Sequence, residues 1–188
     1  MQIISGERKG KKLYGPGPEE IRPIRHLVRK ALFDILRQVI SGSLFLDLYA
    51  GTGSVGLEAL SRGANHVTFV DQLPDATRLI NKNLDALTYT NRATVYQMDT
   101  EEALEKFDHR DRRFDIVFLG PPYQEGLSKA TLKQLGRNKV VKQGGLVGVE
   151  VFFKNDLADG YDKLVKIKER EYGQNKLAIY RKKIRKQG

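Results

Sequence analysis

The chain has 188 residues, no cysteine, a formal net charge of +10 and 40% hydrophobic residues. This length is typical of one domain with its own core, and the absence of cysteine excludes disulfides and zinc–thiolate sites. No apolar run approaches the roughly 18 residues that cross a membrane, and the first residues lack the apolar core of a signal peptide. We therefore expect a soluble, cytoplasmic protein that contacts no membrane.

The positive charge is concentrated at the two ends of the chain. Residues 1–40 carry a net charge of +5 and residues 161–188 carry +7, whereas residues 41–160 carry −2. Basic surfaces attract nucleic acids because binding releases the counterions condensed on phosphates. The charge pattern therefore predicts contact with nucleic acid, although a surface that only keeps the protein soluble would show the same pattern.

The first 40 residues are interpreted as a basic extension. Residues 2–15 have the pattern of a small β-hairpin, with Gly and Lys at its turn. An amphipathic helix is predicted to begin near Ile24, because apolar residues then recur at helical spacing. The apolar residues are Leu27, Val28, Ala31, Leu32, Ile35 and Leu36, and the other face carries Arg25, Arg29, Lys30 and Arg37.

Strands and helices alternate from residue 43 onward. The predicted strands cover residues 43–50, 66–71, 93–99, 114–120 and 145–153, and the predicted helices cover 54–64, 73–87, 100–107 and part of 126–140. A terminal hairpin is predicted at 163–171 and 176–183. This alternation predicts an α/β domain over residues 41–188, with a mostly parallel seven-stranded sheet and an antiparallel carboxyl-terminal hairpin. In such sheets, ligands bind beyond the carboxyl ends of the strands.

The first predicted strand ends in a glycine loop. Gly51, Gly53 and Gly56 form the pattern G-x-G-x-x-G, in which glycines allow a sharp turn and the close approach of a ligand. Asp71 ends the second strand, where a carboxylate can accept hydrogen bonds from both ribose hydroxyls of a nucleotide. This pattern fits a dinucleotide site as well as an S-adenosylmethionine site.

Two further carboxylates end predicted strands. Asp47 lies four residues before Gly51, where its charge would repel a pyrophosphate but attract the sulfonium and ammonium groups of S-adenosylmethionine. Asp47 therefore favours S-adenosylmethionine, with a solvated turn residue as the alternative. Asp99 either accepts a hydrogen bond from an adenine amino group or caps the next helix, and the sequence leaves both open.

The fourth strand ends in Gly120, Pro121, Pro122 and Tyr123. The two prolines fix the backbone and remove two N–H donors, so nearby carbonyl oxygens meet no competing donor. The Tyr123 ring offers a flat face to a base that has left its helical stack. We predict a nucleobase site here, with a proline-stiffened turn around a packed tyrosine as the alternative.

At these motifs the sequence resembles the RsmD family of small-subunit (16S) rRNA guanine-N2 methyltransferases. The resemblance lies in "DLYAGTGSVGLEALSRGA", "FVD", "FDIVFLGPPY" and the opening "IISGERKGKKL…RP…VRKALFDIL", and it spans nearly the whole chain. It implies a Rossmann-like class I methyltransferase fold, S-adenosylmethionine as cofactor and S-adenosylhomocysteine as product. It also implies that the substrate is 16S rRNA or the assembled small subunit. We further expect a monomer, and the three histidines show no ligand spacing, so no metal is predicted.

The resemblance also implies roles for individual residues. The cofactor-binding residues are Asp47, Tyr49, Ala50, Gly51, Gly53, Asp71 and Asp99. The catalytic residues are Gly120, Pro121, Pro122 and Tyr123. RNA contacts are predicted at Arg22, Arg25 and Arg29.

Gly120 departs from the family pattern, which has Asp at this position of an Asp-Pro-Pro-Tyr motif. In the family, that Asp accepts a hydrogen bond from the reacting exocyclic amine. Losing one charge-assisted hydrogen bond there costs roughly 1.5–3 kcal/mol, which is about a 10- to 150-fold slower step. Two alternatives therefore remain: a catalytically impaired relative that binds cofactor and RNA, and a methyltransferase that acts on adenine N6.

Overall fold

The structure, a computed structural model, describes residues 1–15, 26–122 and 126–184. Its helices are α1 (His26–Leu36), α2 (Ser54–Ser61), α3 (Pro74–Leu87), α4 (Thr100–His109) and α5 (Leu127–Arg137). Its strands are β1 (Leu44–Leu48), β2 (His66–Asp71), β3 (Ala93–Gln97), β4 (Phe114–Leu119), β5 (Val141–Phe152), β6 (Gly160–Tyr161), β7 (Leu164–Tyr172) and β8 (Asn175–Lys182). The predicted alternation of strands and helices is confirmed.

The strands form one sheet in the order β3-β2-β1-β4-β5-β8-β7-β6. The first five strands of this order run parallel, and β8, β7 and β6 join them antiparallel. The mostly parallel sheet with its antiparallel hairpin is therefore confirmed, but the sheet has eight strands where seven were predicted. The additional strand is β6, whose two residues are too few to show any alternation of apolar and polar side chains.

The helices cover the sheet on both faces. One apolar cluster joins α1, α2 and α3 to the sheet through residues such as Leu32, Leu57 and Ile80. A second cluster joins α4 and α5 to the opposite face through residues such as Leu104 and Leu132. None of the helices in the described ranges combines the length and apolar character needed to cross a membrane.

The amino-terminal residues contribute to the first of these clusters. Gln2 and Lys12 form a single antiparallel bridge, and Ile3 donates its backbone N–H to the carbonyl of Lys11 at 3.0 Å. Ile3 and Leu13 are buried in the same core as α1 and α2. The predicted hairpin is thus a loop closed by one bridge, packed against the rest of the molecule.

The buried face of α1 differs from the predicted one. Its buried residues are Val28, Arg29, Leu32, Phe33 and Leu36. Leu27, which was predicted on the apolar face, is 58% exposed. The predicted start of this helix near Ile24 lies outside the described residues.

Candidate functional site

Several strand ends meet at the carboxyl edge of the sheet. β1 lies between β2 and β4, and Leu48 of β1 is paired with both Val70 and Leu119. β2 in turn lies next to β3. This register brings the glycine loop after β1, Asp71 at the end of β2 and the Gly120 turn after β4 to one edge of the sheet.

The glycine loop is a tight turn with a left-handed backbone. The φ angles of Tyr49, Gly51 and Gly53 are 56°, 53° and 72°. The N–H of Gly53 donates to the carbonyl of Ala50 at 2.7 Å and closes the turn. A Cβ at Gly53 would lie 2.8 Å from Cγ1 of Ile80, so both the backbone angle and the neighbouring side chain favour glycine there.

The third glycine of the motif, Gly56, lies inside α2 and serves helix packing. A Cβ at this position would lie 2.2 Å from Cε1 of Phe69 in β2. The backbone N–H of Gly56 donates to Oδ2 of Asp47 at 2.8 Å. Gly56 therefore lets α2 approach β2 closely and fixes the Asp47 carboxyl at the start of the helix.

Asp47 is a buried carboxyl group, with only 1% of its surface exposed. Burial raises its pKa to about 8, the charge of Asp71 raises it further, and the hydrogen bond from Gly56 opposes the shift. Within the described residues, no Lys, Arg or His forms an ion pair with Asp47. The alternative of a solvated turn residue is therefore wrong, and the group suits either a proton or a cationic ligand.

Asp71 holds the loop through both of its carboxylate oxygens. Oδ2 accepts a hydrogen bond from the N–H of Gly51 at 2.8 Å, and Oδ1 accepts one from the N–H of Leu73 at 2.9 Å. A carboxylate oxygen has two lone pairs, so each oxygen can still accept a bond from a ligand hydroxyl.

Asp99 caps helix α4. Its Oδ1 accepts a hydrogen bond from the N–H of Glu101 at 2.7 Å. The helix-cap interpretation is therefore confirmed. The cap leaves lone pairs free on the carboxylate, and contact with an adenine amino group stays a prediction.

Tyr49 connects the glycine loop to α5. Its hydroxyl forms a hydrogen bond with Oγ1 of Thr131 at 2.8 Å, and burial raises its pKa. A cavity of about 650 Å³ between α4 and α5 is lined by Tyr49, Asp99 and Leu127, among others. The sequence gives no signal for the contact between Tyr49 and Thr131, because 82 positions separate the two residues.

The turn after β4 begins with Gly120, which is half-buried, followed by a buried Pro121 and an exposed Pro122. A Cβ at Gly120 would lie 3.3 Å from Cε1 of Phe118, and the φ of Gly120 is outside the left-handed region. The backbone therefore does not require glycine at this position, but an added Cβ would require the buried Phe118 ring to shift by a few tenths of an ångström. Tyr123 lies outside the described residues.

The structure contradicts the prediction that Arg29 lies on an exposed basic face. Arg29 is 2% exposed, because helical spacing places it on the same face of α1 as the buried Phe33. Its Nη2 donates to the carbonyl of Gln2 at 2.6 Å, and its Nη1 donates to the carbonyl of Ser54 at 3.4 Å. Arg29 thus joins the amino-terminal residues to the start of α2, and its guanidinium is not presented to RNA. Arg22 and Arg25 lie outside the described residues.

Sequence reasoning misses Glu58, which is fully buried in α2. Its carboxylate accepts hydrogen bonds from the N–H groups of Ile4 and Ser5, at 2.7 and 3.0 Å, and from Nε of Arg62 at 2.6 Å. Glu58 therefore anchors the amino-terminal residues to the helix that follows the glycine loop. The spacing of four residues between Glu58 and Arg62 was a signal for the ion pair but not for its burial.

Among the residues that the structure describes, no three His, Cys, Asp or Glu side chains come together in a way that could hold a metal ion.

Comparisons with known proteins identify the family. The family described as "Conserved hypothetical protein 95" matches residues 1–181. A Bacillus subtilis (strain 168) protein, YlbH, provisionally named an rRNA methyltransferase, is 34% identical over 97% of this chain and 100% of its own length. The ribosomal RNA small subunit methyltransferase D of Escherichia coli (strain K12) is 33% identical over 84% of this chain and 77% of its own length.

Solved structures agree with this assignment. The Escherichia coli protein yhhF, provisionally named a methyltransferase, superposes with a TM-score of 0.83 and 31% identity over 97% of this chain and 98% of that chain. SMU.776, whose structure contains SAH, shares the fold with a TM-score of 0.66 and 16% identity over 82% of this chain and 48% of its own. The class I methyltransferase fold is therefore confirmed. This chain belongs to the "Conserved hypothetical protein 95" family, which is the RsmD family.

Proposed function

We propose that this chain is an S-adenosylmethionine-dependent methyltransferase that modifies the exocyclic N2 amine of a guanine in 16S rRNA, free or in the assembled small subunit. The observation that carries the proposal is the carboxyl edge of the sheet, where the glycine loop and the buried Asp47 lie beside the Gly120 turn. The names of relatives such as the small subunit methyltransferase D of Escherichia coli support an rRNA substrate.

The residues at this edge fit S-adenosylmethionine better than a dinucleotide. Asp47 is a buried carboxyl without a described cationic partner, so a cationic ligand would stabilise its charged form, whereas a pyrophosphate would be repelled. Asp71 has acceptor capacity left for the hydroxyls of a ribose. The SAH recorded with SMU.776, a protein of the same fold, supports this choice. When bound, S-adenosylmethionine supplies a methyl group on a cationic sulfur.

The Gly120 turn would hold the base. Pro121 and Pro122 contribute no N–H groups, so the carbonyl oxygens of Gly120 and Pro121 are proposed to accept hydrogen bonds from the amine of the base. Such bonds would fix the direction of the nitrogen lone pair, and orientation of this kind lowers the barrier of a methyl transfer. We propose that the ring of Tyr123 stacks on the extruded base.

Restoring a carboxylate at Gly120 is expected to accelerate the reaction. A Cβ at this position would lie 3.3 Å from the ring edge of Phe118, which is tighter than an ordinary contact, so Gly120→Asp should fold with a small shift of that ring. The added charge-assisted hydrogen bond to the amine is worth roughly 1.5–3 kcal/mol, which predicts about a 10- to 150-fold faster transfer. Transfer of labelled methyl from S-adenosylmethionine to undermethylated small ribosomal subunits measures this rate.

Gly120→Ala is the matched control, because it adds the Cβ without the carboxylate. Transfer by the unchanged chain, with N2-methylguanosine as the modified nucleoside after digestion, is the expected result. Transfer only by Gly120→Asp would instead identify a catalytically impaired relative. N6-methyladenosine in the digest would identify an adenine methyltransferase, and no transfer by any of the three proteins would overturn the proposal.

A further inference from the structure

Described parts of the two basic ends of the sequence, α1 and β8, meet on one face of the sheet. Helix α1, from the amino-terminal end, packs on β8 at the other end of the chain. A Cβ at Gly148 of β5 would lie 3.0 Å from Cδ1 of Leu32 in α1, and Gly148 is paired with Ile179 of β8. Leu32 and Ile179 also belong to the same buried cluster. The face of β7 and β8 on the same side of the sheet as α1 therefore lies next to the amino-terminal extension.

Three exposed cations lie on this face. Lys168 and Arg170 of β7 are paired with Ile179 and Leu177 of β8. Residues directly opposite each other in antiparallel strands point to the same side of a sheet, and both apolar partners lie in the cluster that contains α1. Arg181 follows Ile179 by two positions and shares its side. We call Lys168, Arg170 and Arg181 the basic face.

The opposite face of the same two strands carries paired charges. Nζ of Lys166 lies 2.9 Å from Glu169 and 3.2 Å from Asp159. Nζ of Lys176 lies 3.5 Å from Glu169 and 3.9 Å from Glu171. Lys166 and Lys176 are thus neutralised by neighbouring carboxylates. Lys182, on the same side, is buried and donates to backbone carbonyls at the end of α5.

No residue of the basic face forms an ion pair with any residue that the structure describes. On one side of the two strands, each lysine therefore has a carboxylate or backbone carbonyls as partners, and on the other side the three cations have no ion-pair partner among the described residues. A surface that served only solubility would have no reason to separate its charges in this way. Unpaired exposed cations beside one another are instead suited to a partner that brings a row of negative charges.

We propose that the basic face binds the phosphate backbone of RNA and holds the substrate beside the amino-terminal extension. This inference rests on the proposed function, because it takes RNA as the substrate. Phosphate contacts carry no sequence information but fix the position of the nucleic acid on the protein. The basic face would accordingly position RNA for a reaction at the carboxyl edge of the sheet.

The test compares two triple variants of the full chain. Lys168→Gln/Arg170→Gln/Arg181→Gln removes the basic face, and Lys129→Gln/Lys133→Gln/Arg137→Gln removes three exposed cations from α5 on the other side of the sheet. Each variant lowers the formal net charge of +10 by three. Affinity for a small-subunit rRNA transcript and for assembled small subunits is measured as a function of salt concentration, together with affinity for S-adenosylhomocysteine and the thermal midpoint.

In a plot of log affinity against log salt concentration, the slope for the basic-face variant is expected to be smaller in magnitude by about 2–3. Each phosphate contact contributes roughly 0.7–0.9 to this slope. With a difference of 2 in slope, the ratio of the affinities of the unchanged chain and the variant changes about a hundredfold for each tenfold change in salt concentration. The α5 variant should keep the slope of the unchanged chain, and the basic-face variant should bind S-adenosylhomocysteine normally.

Equal slopes for the two variants would overturn the inference, even if the unchanged chain methylates rRNA as proposed. If the basic-face variant has the smaller slope but the unchanged chain transfers no methyl group, the inference is retained and the proposed function is rejected. A loss confined to assembled subunits, with unchanged affinity for the naked transcript, would assign the basic face to a ribosomal protein and overturn the RNA assignment.

Discussion

Asp47 is a buried carboxyl at the start of α2 that is held by the N–H of Gly56. The sequence places an acidic residue before the glycine loop, but the spacing cannot show that the group is almost fully removed from water. Burial makes the charged form costly, and the nearby Asp71 increases this cost, which is why the pKa of Asp47 rises to about 8. The protein without ligand therefore favours a protonated Asp47 at neutral pH.

This shift predicts a specific pH dependence of stability. The pKa of Asp47 is higher in the folded chain than in the unfolded chain, so its stabilising contribution is fully present below about pH 4 and is lost as the pH rises to about 8. Between these values the free energy of unfolding should fall by up to about 1.4 kcal/mol per pH unit because of this group. Asp47→Asn keeps an acceptor oxygen for Gly56 but cannot ionise, so its stability should decline less steeply.

Urea unfolding of both proteins at pH 5, 6, 7 and 8 measures the difference. If the free energy of unfolding changes equally with pH in the unchanged chain and in Asp47→Asn, the Asp47 carboxyl is not buried in its protonated form. Asp115→Asn is a useful control, because the Asp115 carboxylate is about one-third exposed and pairs with Lys142 on the surface.

Among the elements, the amino-terminal loop and helix α2 form one unit. Ser61 of α2 accepts a hydrogen bond from the N–H of Arg8 at 3.0 Å and donates its hydroxyl to the carbonyl of Ser5 at 2.7 Å. Glu58, one turn earlier, binds the backbone of Ile4 and Ser5. Since α2 begins where the glycine loop ends, this unit connects the amino-terminal extension to the candidate cofactor site.

Replacing Glu58 by Gln should release the amino-terminal loop and destabilise the protein. The amide has one acceptor oxygen where the carboxylate has two, and it removes the charge that pairs with Arg62. Removing one partner of a buried ion pair lowers the free energy of unfolding by roughly 3–5 kcal/mol. Thermal or urea unfolding measures the loss, and limited trypsin digestion should cut faster at Arg8, which lies within the loop.

Glu105→Gln on the exposed side of α4 provides the control, because surface substitutions of this kind change stability by about 0.5 kcal/mol or less. An unaltered rate of cleavage in the amino-terminal loop of Glu58→Gln would show that the loop is held by other contacts.

The same elements show what the sequence can and cannot predict. Strands such as β4 and helices such as α3 follow from local patterns of apolar residues, and the position of the glycine loop follows from its place between a strand and a helix. The burial of Arg29 does not follow, because its partner Gln2 lies 27 positions away and its spacing on α1 fits a polar face as readily as a buried one. Contacts between distant residues are set by packing, which a single sequence does not record.

At the scale of the whole molecule, the candidate cofactor residues and the unpaired basic residues lie on different surfaces. The near-neutral middle of the sequence forms the strand ends with the candidate cofactor residues, and α1 and β8, which belong to the two basic ends, pack together. The cofactor edge carries buried carboxyls, while the basic face carries unpaired cations. This separation lets one surface attract a cationic cofactor and another attract a polyanion without either charge cancelling the other.

Binding of the cofactor at the first of these surfaces should stabilise the whole chain. A ligand that binds only the folded state, at a concentration 100 times its Kd, stabilises by about 2.7 kcal/mol, which for a domain of this size shifts the thermal midpoint by about 5–11 °C. S-adenosylhomocysteine should produce such a shift, because its ammonium group can pair with Asp47 and its ribose hydroxyls with Asp71. A nicotinamide dinucleotide should produce little or none, because its pyrophosphate would lie near a buried carboxyl. The Asp47→Asn variant should lose part of the S-adenosylhomocysteine shift, and a larger shift with the dinucleotide would assign the glycine loop to a different cofactor.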